Sequence, residues 1–351
     1  MRFLFITDIL DLDDPMKGYF HRWLEEFAKH TKDIHVIAHK EGFHALPPHV
    51  HVHSLGEERK SGRIFKAIRF YWFVLRYMRS HDVVFIFGNP LYAVYGSMWW
   101  KLFKKPVGMW YDAGSVTTQM KIATPFLAHV FTATTAGYQA GGNKKHIVGH
   151  GIDTHVFSPL NRPKHDGTFR ISVVGNIRPA IDYSTMVRAI ALIKDAVETT
   201  FTVMIAGAPA HGEEVFAEEM RTYVHSFGLS ERIIFMGPVK NIDVVKLHRD
   251  SDLYLSLNTD KRIEKSLAEA TLCALPVITS NRAFESYAGD YNSFVFYAKD
   301  NDVELAQRIR HLMMMSFEAR RALGLSFREI SVREHSVEHL VEEIHMAYKN
   351  G

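Results

Sequence analysis

Short apolar runs alternate with amphipathic helical patterns along this chain, and the rhythm occurs twice. In the first half, Arg2–Thr7, Asp33–Ala38, Val50–Ser54, Asp82–Phe87, Pro106–Tyr111 and His129–Thr134 read as strands. Helical patterns at Lys17–His30 and Arg63–Ser80 stand between them, and Tyr19, Phe20, Trp23, Leu24 and Phe27 recur at the spacing of one helix face. In the second half the strands are Phe169–Val174, Phe201–Ala206, Arg232–Met236, Leu253–Leu257, Pro276–Thr279 and Ser293–Tyr297. Helices are expected at about Asp182–Lys194 and at Glu213–Phe227, and the sequence is largely helical from Val303. Strands that alternate with helices form parallel sheets covered on both faces. The two series predict two doubly wound α/β domains, 1–160 and 161–335, joined by the polar stretch Ser158–Gly167, with a last helix in 336–351. Ligands of such sheets bind beyond the carboxyl ends of the strands, so two domains face to face predict one interdomain cleft. The pattern fixes architecture better than function.

Composition narrows the class. The chain of 351 residues is 47% hydrophobic and 23% charged, which suits a globular protein with substantial cores. A formal net charge of +3 selects no partner, and the basic residues show no base-stacking stripe, so no nucleic acid is expected. The single cysteine, Cys273, excludes an internal disulfide and a cysteine metal cluster; it reads as a small buried hydrophobe and points to a reducing compartment. The start, M-R-F-L-F-I-T-D, turns polar too soon for a signal peptide and reads as a strand. A membrane-spanning helix needs roughly 20 apolar residues; the run Phe70–Leu75 is bounded by Arg69 and Arg76. A cytoplasmic protein is therefore expected.

Two segments carry chemistry. Residues 149–159 read G-H-G-I-D-T-H-V-F-S-P. The run Ser251–Ser280 contains S-D-L-Y-L-S-L-N, then E-K-S-L-A-E-A, then L-P-V-I-T-S. Together they resemble the retaining sugar transferases of glycosyltransferase family 4, most closely over residues 146–300. The resemblance implies a GT-B fold: two Rossmann-like domains, the nucleotide-sugar donor on the second, the acceptor mostly on the first, and a final helix crossing back to the first domain. It also implies a metal-independent reaction that keeps the anomeric configuration, with no cofactor beyond the nucleotide-diphosphate sugar as co-substrate.

In that chemistry a sugar leaves a diphosphate, so cations, backbone N–H groups and helix N-termini must meet the growing negative charge. Glu269 in L-A-E-A matches the family's ribose-binding glutamate; a carboxylate accepts two hydrogen bonds from a diol. Lys261 stands where relatives often have a sugar-binding glutamate. Some relatives instead carry an acid–lysine pair, and Glu264-Lys265 resembles it, with Glu264 orienting the sugar and Lys265, with Ser266 and Leu267, meeting the donor at the helix start. V-V-G-N-I-R-P-A-I-D-Y resembles the family's glycine–arginine–lysine element. Gly175 is retained, but Asn176 and Ile181 replace the arginine and lysine, leaving Arg178 as the candidate diphosphate cation. In M-K-G-Y-F, Met16–Phe20, Gly18 matches a glycine whose backbone approaches the phosphate, although an ordinary helix-start turn would look the same. W-Y-D-A-G-S has Ala113 where relatives often have histidine, and Asp112 beside it is a candidate for an acceptor hydroxyl or the donor sugar. A loop aspartate capping a turn is the other reading. Cys273-Ala274-Leu275 replaces the family's A-C-G, with alanine expected to pack tolerably.

Two other features lie outside these motifs. His49, His51 and His53 alternate to one side of a strand and read as an exposed edge rather than a metal site. The helix within 63–80 mixes five cations with aromatics; it reads mainly as a domain helix, with peripheral contact to the inner membrane face as the alternative. The expectation is a hexosyltransferase using a UDP- or GDP-linked sugar, a glycan or lipid-linked acceptor, and a place in cell-surface polysaccharide assembly. The rival is a catalytically degenerate, transferase-like binding or scaffolding subunit, favoured by Lys261, Asn176, Ile181 and Ala113. A nucleotide-sugar epimerase has no specific motif behind it.

Overall fold

The computed structural model describes residues 1–14, 17–140, 142–160, 167–259 and 261–350. Met16 of the glycine loop, and 161–166 of the expected linker, lie outside them. The chain divides into two compact units, Met1–Asp153 with Glu334–Gly351, and Thr154–Arg333.

In the first unit the strands are β1 (Phe3–Leu10), β2 (Ile34–Glu41), β3 (Val50–Ser54), β4 (Val83–Phe87), β5 (Val107–Trp110), β6 (His129–Thr132) and β7 (Lys145–Ile147). They form one parallel sheet in the order β3-β2-β1-β4-β5-β6-β7. Alternate residues of β1 serve the two faces, as strand geometry requires. Phe3 and Phe5 join one core with Trp23, Phe27, Leu340 and Ile344. Leu4 and Ile6 join another with Phe73, Val74, Trp100 and Met120. The first core thus includes the final helix, Val337–Asn350, whose Tyr348 hydroxyl donates to the Val84 carbonyl at 2.6 Å. Gly108 makes room for that hydroxyl, since a Cβ there would collide with it. The crossing back of the chain is therefore built into the sheet.

The motif 149–157 has a structural explanation. Gly149 and Gly151 take φ of +71° and +63°, the left-handed region that favours glycine. A Cβ on Gly149 would overlap the Glu334 carbonyl, where the returning chain passes. The Gly151 carbonyl accepts from the buried Trp23 indole at 2.7 Å.

In the second unit the strands are β8 (Phe169–Val174), β9 (Phe201–Ala206), β10 (Ile233–Gly237), β11 (Leu253–Ser256) and β12 (Val277–Thr279). Their order, β10-β9-β8-β11-β12, repeats the winding of the first sheet. The expected strand Ser293–Tyr297 is instead the short helix Asn292–Val295, followed by a single bridge from Phe296 to Thr279. Val295, Phe296 and Tyr297 are buried beside β12, with that one bridge in place of a full strand pairing. Ala274 adopts φ +57°. The alanine expected to pack tolerably therefore sits in the left-handed region, at a backbone cost of roughly 1 kcal/mol. Cys273 is buried, and burial pushes its thiol up to about 12.

The histidine edge is only partly exposed. His51 lies 3.2 Å from Asp33, while His53 stacks on Tyr77 and Phe73 and contacts His35 at 3.1 Å. The helix Arg63–Arg76 and the Tyr77 that follows it cover that side of β3.

Buried histidines make the fold acid-sensitive. Burial lowers His81, His129 and His248 from 6.5 to about 4. Each is held neutral in the fold, so above 6.5 it contributes no pH dependence. Below 6.5 the unfolded chain takes up the protons first, and stability falls progressively until about 4. Thermal melts at decreasing pH are expected to show this loss within that window. A flat midpoint across it would contradict these burials.

Candidate donor site

In a doubly wound sheet the strand order reverses at one point, and the flanking loops there part to leave a crevice. In the second unit that point lies between β8 and β11. A pocket of about 310 Å³ opens there, lined by Val174, Gly175, Asn176, Arg178, Ile181, Tyr183, Tyr254, Asn258, Glu264 and Ser266, among others. This is near the lower end of small-molecule sites. Four residues singled out from sequence meet in it: Gly175, Arg178, Glu264 and Ser266.

The backbone explains their placement. Gly175 ends β8 at φ +152° with open space where a Cβ would be, so the chain turns away without a side chain in the mouth. The next residues run beside 208–210, with Ile177 N–H donating to Ala208 and Ala210 N–H to Ile177. Arg178-Pro179-Ala180-Ile181 closes as a turn through Ile181 N–H to the Arg178 carbonyl at 3.1 Å, with proline at its favoured second position. Ile181 then bridges Asn258, and Asp182 caps the helix Tyr183–Ile193 by accepting from Thr185 N–H. Arg178 and Ile181 are thus the two corners of one turn on the pocket wall. Burial raises the Tyr183 phenol, against a smaller lowering by the Arg178 charge.

The opposite wall comes from the helix Lys265–Leu272. Glu264 is its N-cap residue, and its carboxylate accepts from the Ser256 hydroxyl at 2.7 Å. Ser266 Oγ lies 3.0 Å from the buried Tyr254 hydroxyl. Residues 265–267 form the first turn of this helix, the end that carries the positive pole of the helix dipole. Leu267 is fully buried, so it serves the core and does not reach the pocket wall. Among the described residues lining the pocket, Arg178 is the only cation and Glu264 the only carboxylate.

Lys265 and Glu269 lie on the same helix but not on the pocket wall. Glu269 is 3% exposed, and its Oε1 accepts from both Lys265 and Asn241, the latter at 3.0 Å. His248 lies fully buried near this pair, with neither ring nitrogen hydrogen-bonded. Sequence reasoning missed Asn241, the first residue of the helix Asn241–Asp250. It also missed Gly207, where a Cβ would overlap the Gly175 carbonyl. A glycine directly after β9 was the available signal for Gly207; Asn241 offered none.

The two candidates in the first unit have internal partners. Gly18 is buried at the start of the helix Tyr19–His30, and its N–H donates to the Asp14 carbonyl at 2.9 Å. A Cβ there would lie 2.6 Å from that carbonyl oxygen, so the turn itself requires glycine. Asp112 accepts from the Thr132 hydroxyl at 2.8 Å and leaves no room for a side chain at Gly137.

Known proteins resemble the chain in sequence and in fold. A family profile described as Glyco_trans_1_4, glycosyl transferases group 1, matches residues 168–314. D-inositol 3-phosphate glycosyltransferases of Mycobacterium sp. (strain KMS) and Mycolicibacterium smegmatis are 23% identical over 150 residues, 41% of this chain and 33% of theirs. The match thus spans about a third of those relatives' length. Among solved structures, Anabaena Alr3699/HepE in complex with UDP aligns over 100% of both chains, at a TM-score of 0.74 and 16% identity. Sucrose-phosphate synthase from Thermosynechococcus elongatus aligns over 100% of this chain and 99% of its own, with TM-score 0.74 and 13% identity. The chain therefore has the GT-B fold of two parallel-sheet α/β domains, and its residues 168–314 are similar to the group 1 glycosyl transferases.

Proposed function

We propose that this chain is a retaining, metal-independent glycosyltransferase that takes a sugar from a UDP- or GDP-linked donor and gives it to a glycan or glycolipid acceptor in cell-surface polysaccharide assembly. The observation that carries this reading is the meeting of Arg178, Glu264 and a helix start around one pocket at the β8/β11 switch point. Solved complexes of Alr3699/HepE with UDP and with UDP-glucose show a similarly folded protein bound to such a donor.

In this reading the bond from the sugar C1 to the diphosphate breaks, and its electron pair goes to the phosphate oxygen. Arg178 and the start of the helix Lys265–Leu272 stabilise that charge. Glu264, held by Ser256, accepts hydrogen bonds from sugar hydroxyls. Glu269 holds the ribose diol, and Lys265 turns from Glu269 toward the diphosphate. The acceptor oxygen bonds to C1 on the same face, and its proton passes to the departing oxygen. In the first unit, Asp112 is assigned an acceptor hydroxyl and Gly18 the close approach of the loop that bears it.

Calorimetry with UDP and GDP, followed by nucleotide release from a panel of nucleotide sugars in the presence of EDTA, tests the reading. Binding with EDTA-resistant turnover is expected, and failure to bind either nucleotide would sink it. Arg178→Ala should weaken the nucleoside diphosphate about tenfold to 100-fold, the effect of a lost charge-assisted contact, and leave the nucleoside unaffected. A second reading, a degenerate binding subunit, is favoured by Ile181, an apolar group on the pocket wall where relatives place a lysine. Tight nucleotide binding without turnover of any donor would select it.

A further inference from the structure

The helix Arg63–Arg76 is apolar on two sides. Phe70, Phe73 and Val74 enter the core beneath it. Ile64, Phe65, Ile68, Tyr71, Trp72 and Leu75 are all exposed, Ile64 at 78% and Trp72 at 56%. Their spacing is that of a continuous outward stripe. The neighbouring helix Leu91–Leu102 adds exposed Tyr95, Met98 and Leu102, and Phe103 follows it. The two helices touch through Phe70 and Tyr92, with ring centroids 5.5 Å apart. One layer over the first sheet therefore presents an apolar outer surface made by both. Such a surface on a monomer marks an interaction site.

Charge identifies the occupant. Residues 63–80 hold Arg63, Lys66, Arg69, Arg76 and Arg79, residues 91–105 hold Lys101, Lys104 and Lys105, and neither stretch contains an acid. Arg63, Arg76, Arg79, Lys101 and Lys104 are exposed. Lys66 is paired with Glu57, and Arg69 lies over Phe65 and Phe73. Aromatics and aliphatics flanked by cations, with tryptophan and tyrosine among them, match the interface of a bilayer with anionic headgroups. No described helix is long and apolar enough to cross a membrane.

We propose that the paired helices 63–76 and 91–102 form a docking surface that lies flat on an anionic lipid bilayer. The aromatic stripe enters the headgroup boundary and the lysines and arginines meet lipid phosphates. The proposal is independent of the donor chemistry, because vesicle binding needs no turnover.

Flotation of the full chain with phosphatidylcholine vesicles, with and without about a third phosphatidylglycerol, tests it. Binding to the anionic vesicles is expected, and raised salt should weaken it. Ile68→Glu with Trp72→Glu should reduce binding at least tenfold. Arg63→Ser with Arg76→Ser should reduce it by roughly fivefold for each cation, without an apolar change that could disturb folding. Val215→Glu, at an exposed apolar site in the second unit, should bind like wild type. A wild-type chain that stays with the soluble fraction overturns the proposal. So does equal binding by the Ile68/Trp72 variant, or a dimer in solution that this variant breaks while vesicles bind neither form.

Discussion

Replacing Glu269 should nearly abolish nucleotide binding. The carboxylate is buried at the end of a short polar chain, receiving Lys265 and Asn241 on Oε1. If it also holds a ribose diol, Glu269→Gln removes the charge that strengthens both ligand hydrogen bonds. The expected cost is about 3 kcal/mol, on the order of 100-fold in affinity. Glu269→Ala should go further and also destabilise the second unit, since Asn241 and Lys265 lose the carboxylate they both donate to. The two variants are needed together, because the glutamine keeps the shape and separates binding from folding. Lys265→Ala should give a different pattern: affinity for UDP or GDP falls strongly, while affinity for the bare nucleoside holds. Calorimetry with nucleoside and nucleoside diphosphate side by side distinguishes ribose contacts from diphosphate contacts. Wild-type affinity in both the Glu269 and Lys265 variants would remove the donor-site assignment.

That Lys265 and Glu269 pair with one another bears on how such a site works. In sequence they looked like separate tools, one for the ribose and one for the phosphate. In the structure they are one i,i+4 pair on a helix face, off the pocket wall. A ligand that uses both must open that pair, so part of its binding energy goes to rearrangement. The cation already on the wall is Arg178. It is held at a turn corner by a local hydrogen bond from Ile181, independent of the helix.

The parallel sheets and most strands were legible because apolar runs of β-branched and aromatic residues alternate with helical periodicity. Ser293–Tyr297 misled because a short buried helix and a buried strand share an apolar composition, and periodicity cannot separate runs this short. The helix Leu91–Leu102 lacked an amphipathic signal for a physical reason: its outer residues are as apolar as its inner ones. Gly175, Glu264 and Ser266 were legible because the segments that hold them are local in sequence. Asn241 was not, because its contact is with a residue 28 positions away. The glycine at 18 was visible, and the helix-start turn was one of its two readings; that turn closes on Asp14.

Gly207→Ala should be among the most damaging single-methyl changes in the second unit. Gly207 follows β9 directly, and its N–H donates to the Gly237 carbonyl at 2.9 Å, so its backbone is fixed on one side. On the other side a Cβ would overlap the Gly175 carbonyl oxygen and lie 2.8 Å from its carbon. Neither neighbour is a flexible side-chain end. Gly175 is itself tied to β9 by its N–H to Ala206 at 3.0 Å. The methyl must therefore push the end of β8 away from β9, at a cost of about 3 kcal/mol, the upper range for overpacking. Because Gly175 and Asn176 line the pocket, the displacement should also reach the ligand. The expected result is a lowered melting transition for the second unit together with nucleotide affinity reduced by at least tenfold. Ala208→Gly, one residue on, adds no atom at that contact and serves as the control. If Gly207→Ala melts and binds like wild type, the close approach of the two glycines is not a constraint, and the pocket's geometry does not depend on it.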